Sequence, residues 1–412
     1  MSLRPRVAYV LGATALLALV VPPVWAALAA VVVVVAAVVD ALAARKPPDV
    51  ERTAPRAVAR GVPAPIVLEA GPGLHTTLRQ PRTAELRVDP AKGVGRVAGS
   101  LVGLRRGRHV LPAPAVRVDG PLGLGCWYRR SGEDAELVVY PDVPNARRLA
   151  RAARGGRLGP EGRRRGPLGL GTEFEAVRDY LPDDDVRQIN WRATERLGRP
   201  MSNQYRVERD RDVVCVVDCG RLTAAPLGDR TRLDVALDAA IAVAETADEL
   251  GDRVGVVAFD SEVRRVLSPR RRGAKAVLSA VFDLEPRSVD SDYALAFATV
   301  GGGKRALVLV FTDLVEEAAA RPLVEAVPVL ARRHAVVVAS VADDELEGLV
   351  REEPRAVADV FRAVVAADVL TARDRVTASL RHAGAEVVTA GVEAFPAACV
   401  RSYLRLKARG LL

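Results

Sequence analysis

Two apolar runs at the N-terminal end constrain this chain more than any other feature. Val7 to Val21 is continuously apolar or small, Pro22-Pro23 interrupts it, and Val24 to Val39 resumes it with five consecutive valines at 31–35. Uninterrupted hydrophobicity of that length belongs in lipid. Each arm of 15 or 16 residues reaches about 22–24 Å as a helix, short of a hydrocarbon core of about 30 Å, so flanking residues must stretch the span. One long kinked helix would place its ends on opposite sides of the bilayer; a hairpin turning at the prolines would keep them on one side. Arg4 and Arg6 precede the segment, and Arg45, Lys46, Arg52, Arg56 and Arg60 follow it. Basic flanks mark the cytoplasmic side, and both flanks are basic. The expectation is a two-helix transmembrane hairpin over residues 1–45, with arms 7–21 and 24–39, in the cell membrane with both termini cytoplasmic. A cleaved signal peptide ending near VWAALAA is the alternative, but cleavage there would leave the apolar stretch to Val39 exposed.

A chain of 412 residues exceeds the usual size of one core, so two or three structural units are expected. With 4% aromatic residues, Val, Leu and Ala must fill those cores. The formal charge of +9 raises nucleic acid or anionic lipid as partners. No stacking aromatics are interleaved with the basic residues, which argues against nucleic acid. Cys126, Cys215, Cys219 and Cys399 form no C-x-x-C pair and read as buried or free thiols of a reducing compartment.

After the apolar segment, residues 46–60 are rich in Pro, Ala and Arg and read as a linker. Residues 61–144 hold short alternating runs separated by Gly and Pro, the texture of a small β-sandwich-like domain. Residues 145–171 carry Arg147, Arg148, Arg151, Arg154, Arg157, Arg163, Arg164 and Arg165 against the single acid Glu161, and read as an Arg-rich solvated linker. From 212 to 412, apolar runs of five to eight residues alternate with amphipathic segments, the mark of a parallel α/β sheet. Strands are expected at 213–218, 253–259, 305–312, 335–341 and 386–389, with 254–259 and 263–267 as a hairpin. On the intervening helix, Leu233, Leu237, Ile241 and Ala244 share an apolar face, with Asp234, Asp238, Glu245 and Asp248 pointing elsewhere.

Between the Arg-rich stretch and the first of these strands, residues 172–211 hold a dense block of alternating charge. Its core is Arg178-Asp179-Tyr180, Pro182, Asp184-Asp185, Arg187, Ile189-Asn190-Trp191 and Thr194. This string resembles the signature of the bacterial family known as domain of unknown function 58. Members of that family look like membrane-anchored proteins with a von Willebrand factor A-like domain. Residues 105–124 also resemble the matching part of the family. The resemblance implies a Rossmann-like sheet of von Willebrand factor A type over 212–412, and a non-enzymatic adaptor that works with a MoxR-type AAA+ ATPase. The family usually has Pro-Gly-Asp-Asp where this chain has Pro182-Asp183-Asp184-Asp185. Tyr180 and Trp191 are expected to lock a polar network of the acids and arginines. Asp184, Asp185 and Asn190 either brace the fold or face a partner.

In open α/β sheets ligands bind at the carboxyl ends of the strands. Asp218 ends the first strand and Asp313 ends the central one. Domains of von Willebrand factor A type hold Mg²⁺ there with an Asp-x-Ser-x-Ser loop, a Thr and a second Asp, an oxygen-rich set suited to a hard ion. Here the loop reads Asp218-Cys219-Gly220-Arg221-Leu222, with Ser291 standing in for the Thr. The site is therefore expected to be degenerate, Asp218, Ser291 and Asp313 being the metal candidates. The competing expectation is that Asp218 shapes a turn and Thr312 or Asp313 caps the next helix. A metal-assisted hydrolase using Asp218 and Asp313 is the runner-up function, and binding of anionic lipid or nucleic acid through the Arg-rich linker a third. Gly301-Gly302-Gly303-Lys304 lacks the Ser or Thr and the following helix of a phosphate loop. His75, His109, His334 and His382 have no metal-ligand spacing.

Overall fold

The computed structural model describes residues 2–46, 48–158, 173–181, 184, 186–206, 211–301, 304–314 and 317–409. They form two compact units that divide between Tyr140 and Pro141.

The first unit begins with helix α1, Pro5–Leu17, and helix α2, Pro23–Ala43. Proline at the first position of each starts the helix without losing a backbone bond. Of the two expected arms, α2 alone is long and apolar enough to cross a bilayer; α1, with 13 residues, is shorter than the reading of 7–21. The turn between them takes up residues 18–22, because proline at 23 can open a helix but cannot sit inside one.

Behind the helices stand three small sheets of five, four and three strands, more divided than a two-sheet sandwich. Ile66, Leu101, Leu111 and Leu137 fill one core, and Leu68, Leu78, Val97 and Val116 another. The expected linker at 46–60 is not one. Val50–Thr53 pairs with Ala64–Ala70, and Ala57–Ala59 pairs with Ala135–Tyr140. Pro55 falls between these two short strands, where no ladder bond is lost.

Asp40, in the last turn of α2, joins the helices to this unit. Its carboxylate accepts the backbone N–H groups of Leu122 at 2.7 Å and of Leu124 and Gly125 at 2.8 Å. Next to it, the buried Asp119 carboxylate meets Arg4 at 3.4 Å, Arg117 at 3.1 Å and His75 Nδ1 at 3.0 Å.

The second unit opens on helix α3, Val143–Arg154, which corrects the linker reading over 145–154. Val143, Ala146, Ala150 and Ala153 are buried on one helical face, packed on helix α5 (Arg232–Glu249). Arginines on the other face pair with that helix, Arg147 with Glu245 at 3.5 Å and Arg154 with Glu249. Small residues at that spacing allow close approach while long cations snorkel past them. Arg163, Arg164 and Arg165 lie outside the described residues.

The main sheet has six strands: β1 Asp212–Asp218, β2 Arg253–Phe259, β3 Val263–Arg270, β4 Ala306–Phe311, β5 Ala335–Val341 and β6 Glu386–Ala390. Their order is β3-β2-β1-β4-β5-β6, and every pair is parallel except β2 with β3. All five expected strands are present within one residue, and so is the hairpin, its second strand running three residues past the expected 267 to Arg270. Strand β3 carries Arg264, Arg265, Pro269 and Arg270 along the edge, which blunts it against further pairing.

Helices α5 and α11 (Phe395–Ala408) cover one face of the sheet, with α3 packed on α5. Helices α7 (Tyr293–Val300), α8 (Glu317–Ala331) and α10 (Val357–His382) cover the other. Helix α5 is buried nearly all round because α3 and α11 lie against it, so that of its acids Asp238 is buried while Asp234, Glu245 and Asp248 are half-buried. Its Asp238 accepts the Asp142 N–H at 3.0 Å and lies 3.8 Å from Arg230.

Candidate functional site

Strand order reverses at β1, which has β2 on one side and β4 on the other. That is the switch point of the sheet, where the following loops diverge and leave a crevice. Asp218 ends β1 and Thr312-Asp313 follow β4, so the sequence places polar residues at both lips.

Asp218 is only 1% exposed, and its carboxylate is saturated by hydrogen bonds. Oδ1 accepts the Gly220 N–H at 2.8 Å and the Ser291 hydroxyl at 2.5 Å. Oδ2 lies 2.9 Å from the Tyr293 hydroxyl and 2.7 Å from that of Thr312. A carboxylate has about four lone-pair directions, and all four are used. Burial first, then the Asp218 charge, pushes the Tyr293 phenol well above its ordinary range, so it stays a neutral donor.

Asp313 meets cations instead. Arg232, the first residue of α5, approaches side-on, Nε 3.1 Å from Oδ2 and Nη1 3.3 Å from Oδ1. Arg373 of α10 places Nη2 3.4 Å from Oδ1 and also bonds Ser340 Oγ at 3.2 Å and the Val341 carbonyl. Arg232 reaches on to Asp343, the N-cap of helix α9 (Asp344–Arg351), at 2.9 Å. Both arginines are nearly fully buried. Burial pushes the Asp313 carboxyl up, Arg232 and Arg373 pull it back, and the net direction is upward.

Ser291 is thus brought onto Asp218, while Asp313 turns into the arginines. The donor set does not fit Mg²⁺. An octahedral ion needs oxygens free to approach to about 2.1 Å, and here one carboxylate is filled by four donors and the other by two guanidiniums. Asp218 also shapes its own turn by accepting the Gly220 N–H, as the competing expectation held for that residue; Asp313 Oδ1 accepts the Leu314 N–H at 2.8 Å, a bond that lies ahead of helix α8 and does not cap it. Beside Ser291 a cavity of about 280 Å³ opens between Leu222, Val289, Tyr293 and Pro322, with the Arg221–Asp290 pair at its rim.

Tyr293, Arg232, Arg373 and Asp343 were missed in the sequence. The two arginines stand 81 and 60 positions from Asp313 along the chain. Their one local signal is a cation set within an otherwise core-forming helix face, as in TRLDVAL. Cys126, Cys215, Cys219 and Cys399 are buried thiols outside any disulfide, and burial pushes the Cys215 thiol up to about 12, which leaves it unreactive.

The signature block forms a knot of its own. Glu173–Asp179 and Met201–Arg206 pair as an antiparallel hairpin, and helix α4, Trp191–Leu197, lies between them in sequence. Arg178 grips Asp184 with two hydrogen bonds, of 2.8 and 2.6 Å. The same carboxylate accepts the Leu181 N–H at 2.8 Å, and Tyr180 donates to the Asp184 carbonyl at 3.1 Å. Asn190 caps α4 by accepting the Ala193 N–H at 3.0 Å, and donates to Asn203 at 2.8 Å. Asp179 pairs with Arg199 at 3.2 Å. Pro182 and Asp185 lie outside the described residues.

Tyr180 does brace this network. Trp191 does not: it is 70% exposed, with Leu181, Val186 and Leu197 exposed as well. It is the first residue of α4 and largely open to solvent, while its neighbour Asn190 makes the cap, so the expectation that it locks the network is corrected.

These observations define the class: a mostly parallel open α/β unit with a sealed polar switch point and a charged knot ahead of it, preceded by a β-rich unit bearing an apolar helix. The family described as "Protein of unknown function DUF58" matches residues 176–389, more than half of the chain, and the chain belongs to that family. Among solved structures, an uncharacterized membrane spanning protein from Vibrio fischeri is similar at 14% identity, covering 48% of this chain and 98% of that one. Its TM-score of 0.15 is too low to bear on the arrangement of this chain. The comparison with curated proteins gives no match.

Proposed function

We propose that this chain is a membrane-anchored, non-enzymatic adaptor. In this reading α1 and α2 form a two-helix transmembrane hairpin with both ends cytoplasmic, and the six-stranded unit is a domain of von Willebrand factor A type. The strand order, with one antiparallel edge strand, supports that assignment. The partner implied by the family resemblance is a MoxR-type AAA+ ATPase, which would supply the nucleotide hydrolysis.

One observation carries the adaptor reading. In the signature knot Asp184 and Asn190 are used up in internal bonds, while Trp191 stands exposed with Leu181 and Val186 exposed in the same block. An exposed tryptophan on a braced polar frame costs solvation and stabilises nothing within the chain; centred on an interface it is the residue type that contributes most. The hydrolase reading has less support, since neither Asp218 nor Asp313 keeps a free oxygen to hold a metal or activate water.

The test is recovery of partners from gently solubilised membranes. Wild-type chain is expected to bring down an AAA+ ATPase, and Trp191→Ala to lose it while melting at the wild-type temperature. Recovery of the same partners by the Trp191→Ala protein removes the knot from the interface. Absence of any ATPase from the wild-type sample counts against the adaptor.

A further inference from the structure

The switch point holds three acids, Asp218, Asp313 and Asp343, at the carboxyl end of a sheet whose neighbouring hydroxyls, Ser291, Thr312 and Ser340, are oxygen donors. Such a set invites a divalent cation. What it contains is positive charge from the chain itself. Arg232 lies side-on against Asp313 and spans to Asp343, and Arg373 closes the other side of Asp313. Two guanidiniums carry the formal charge of one divalent ion. Both come from helix positions at which a hydrophobic residue would otherwise pack, since Arg232 is 6% exposed and its neighbours Leu233 and Val235 are core.

We infer that Arg232, with Arg373 beside it, is the resident cation of this site, so that the switch point is held together without metal. Arg232 draws the N-cap of α9 to the end of β4, as a bridging ion would. Three facts support this independently of any partner. The Asp313 carboxylate accepts contacts from both arginines. Asp218 is satisfied by four neutral donors, with no cation against it among the described residues. Gly220 lacks the side chain that would supply a further ligand, and a Cβ there would stand 2.1 Å from Ser291 Oγ. A guanidinium is planar and always charged, so it can hold two carboxylates at fixed angles where an exchangeable ion could leave.

Removing the guanidinium should uncover the acids it covers. The experiment uses the full chain in detergent, with Mn²⁺ uptake read by loss of the free-ion EPR signal and melting followed with Mg²⁺ or with chelator. Wild type is expected to take up no Mn²⁺ at millimolar concentration and to melt at the same temperature under all conditions. Arg232→Met is expected to melt lower, to take up Mn²⁺, and to regain melting temperature as Mg²⁺ is raised, because a ligand that binds only the folded state stabilises it by mass action. Hydrogen-exchange protection of α9 should fall in the variant and return with metal.

Wild-type uptake that is abolished by Asp313→Asn overturns the inference. So does a folded Arg232→Met protein that takes up no more Mn²⁺ than wild type. If Arg232→Met folds neither with nor without metal, Arg373→Met, which keeps Arg232 on Asp313, is measured in its place. The same gain in smaller degree is then expected, and no gain overturns the inference.

Discussion

At the scale of single residues, Gly220 shows how one absent side chain sets the site. A Cβ at 220 would lie 2.1 Å from Ser291 Oγ and 2.9 Å from the Val289 carbonyl. Restoring a hydroxyl there, in imitation of an Asp-x-Ser loop, therefore displaces the serine already bonded to Asp218. Gly220→Ser is expected to destabilise the second unit by about 1–3 kcal/mol, the usual cost of overpacking, measured by thermal melting; a neutral result would mean Ser291 is free to move. Asp184 gives a pH dependence. Arg178, by hydrogen bonding, holds its carboxyl below the ordinary 3.8. A depressed acid stabilises the folded state above its unfolded value and loses that contribution as pH falls through its folded value. The Leu181 amide should thus stay protected at pH 4 and open only below 3.8, followed by NMR titration; opening at or above 3.8 contradicts the assignment. Arg178→Ala should bring the loss to higher pH.

At the scale of elements, sequence periodicity served where one pattern dominated and failed where two overlapped. Strands β1, β2, β4 and β5 are valine-rich runs buried on both faces, which only a central parallel sheet accommodates. Helix α3 was hidden because its four arginines open a longer arginine-rich run that reads as solvated, although Val143, Ala146, Ala150 and Ala153 keep helical spacing. The strands at 50–53 and 57–59 were hidden by their shortness and by Pro55, which sits between them. At the switch point the acids were legible as strand ends, while their cations were not, because Arg232 and Arg373 arrive from distant helices. If 145–154 is a packed helix, its two faces respond differently. Ala150→Glu, which buries a charge and overfills the contact with α5, should cost about 3 kcal/mol; Arg148→Glu on the exposed face should stay within about 0.5 kcal/mol. Melting curves of the two variants check this, and equal curves would return the segment to a linker.

At the scale of the whole molecule, each unit has its own cores: the first fills two small β cores, the second a core on either face of one sheet. Their stabilising polar centres are also separate. Asp40 accepts three backbone N–H groups within the first unit, and Arg232 bridges Asp313 and Asp343 within the second. Cooperative unfolding follows the extent of a shared core, so two units with separate cores should melt as two transitions. Mutations that share no contacts act independently. In scanning calorimetry of the full chain in detergent, Asp40→Ala, which leaves three N–H groups without their acceptor, should lower one transition by an amount corresponding to about 2–3 kcal/mol. Arg232→Met should lower the other and leave the first unmoved. A single transition shifted by both variants would show that the units unfold as one, and the division at Tyr140 would then describe geometry without describing stability.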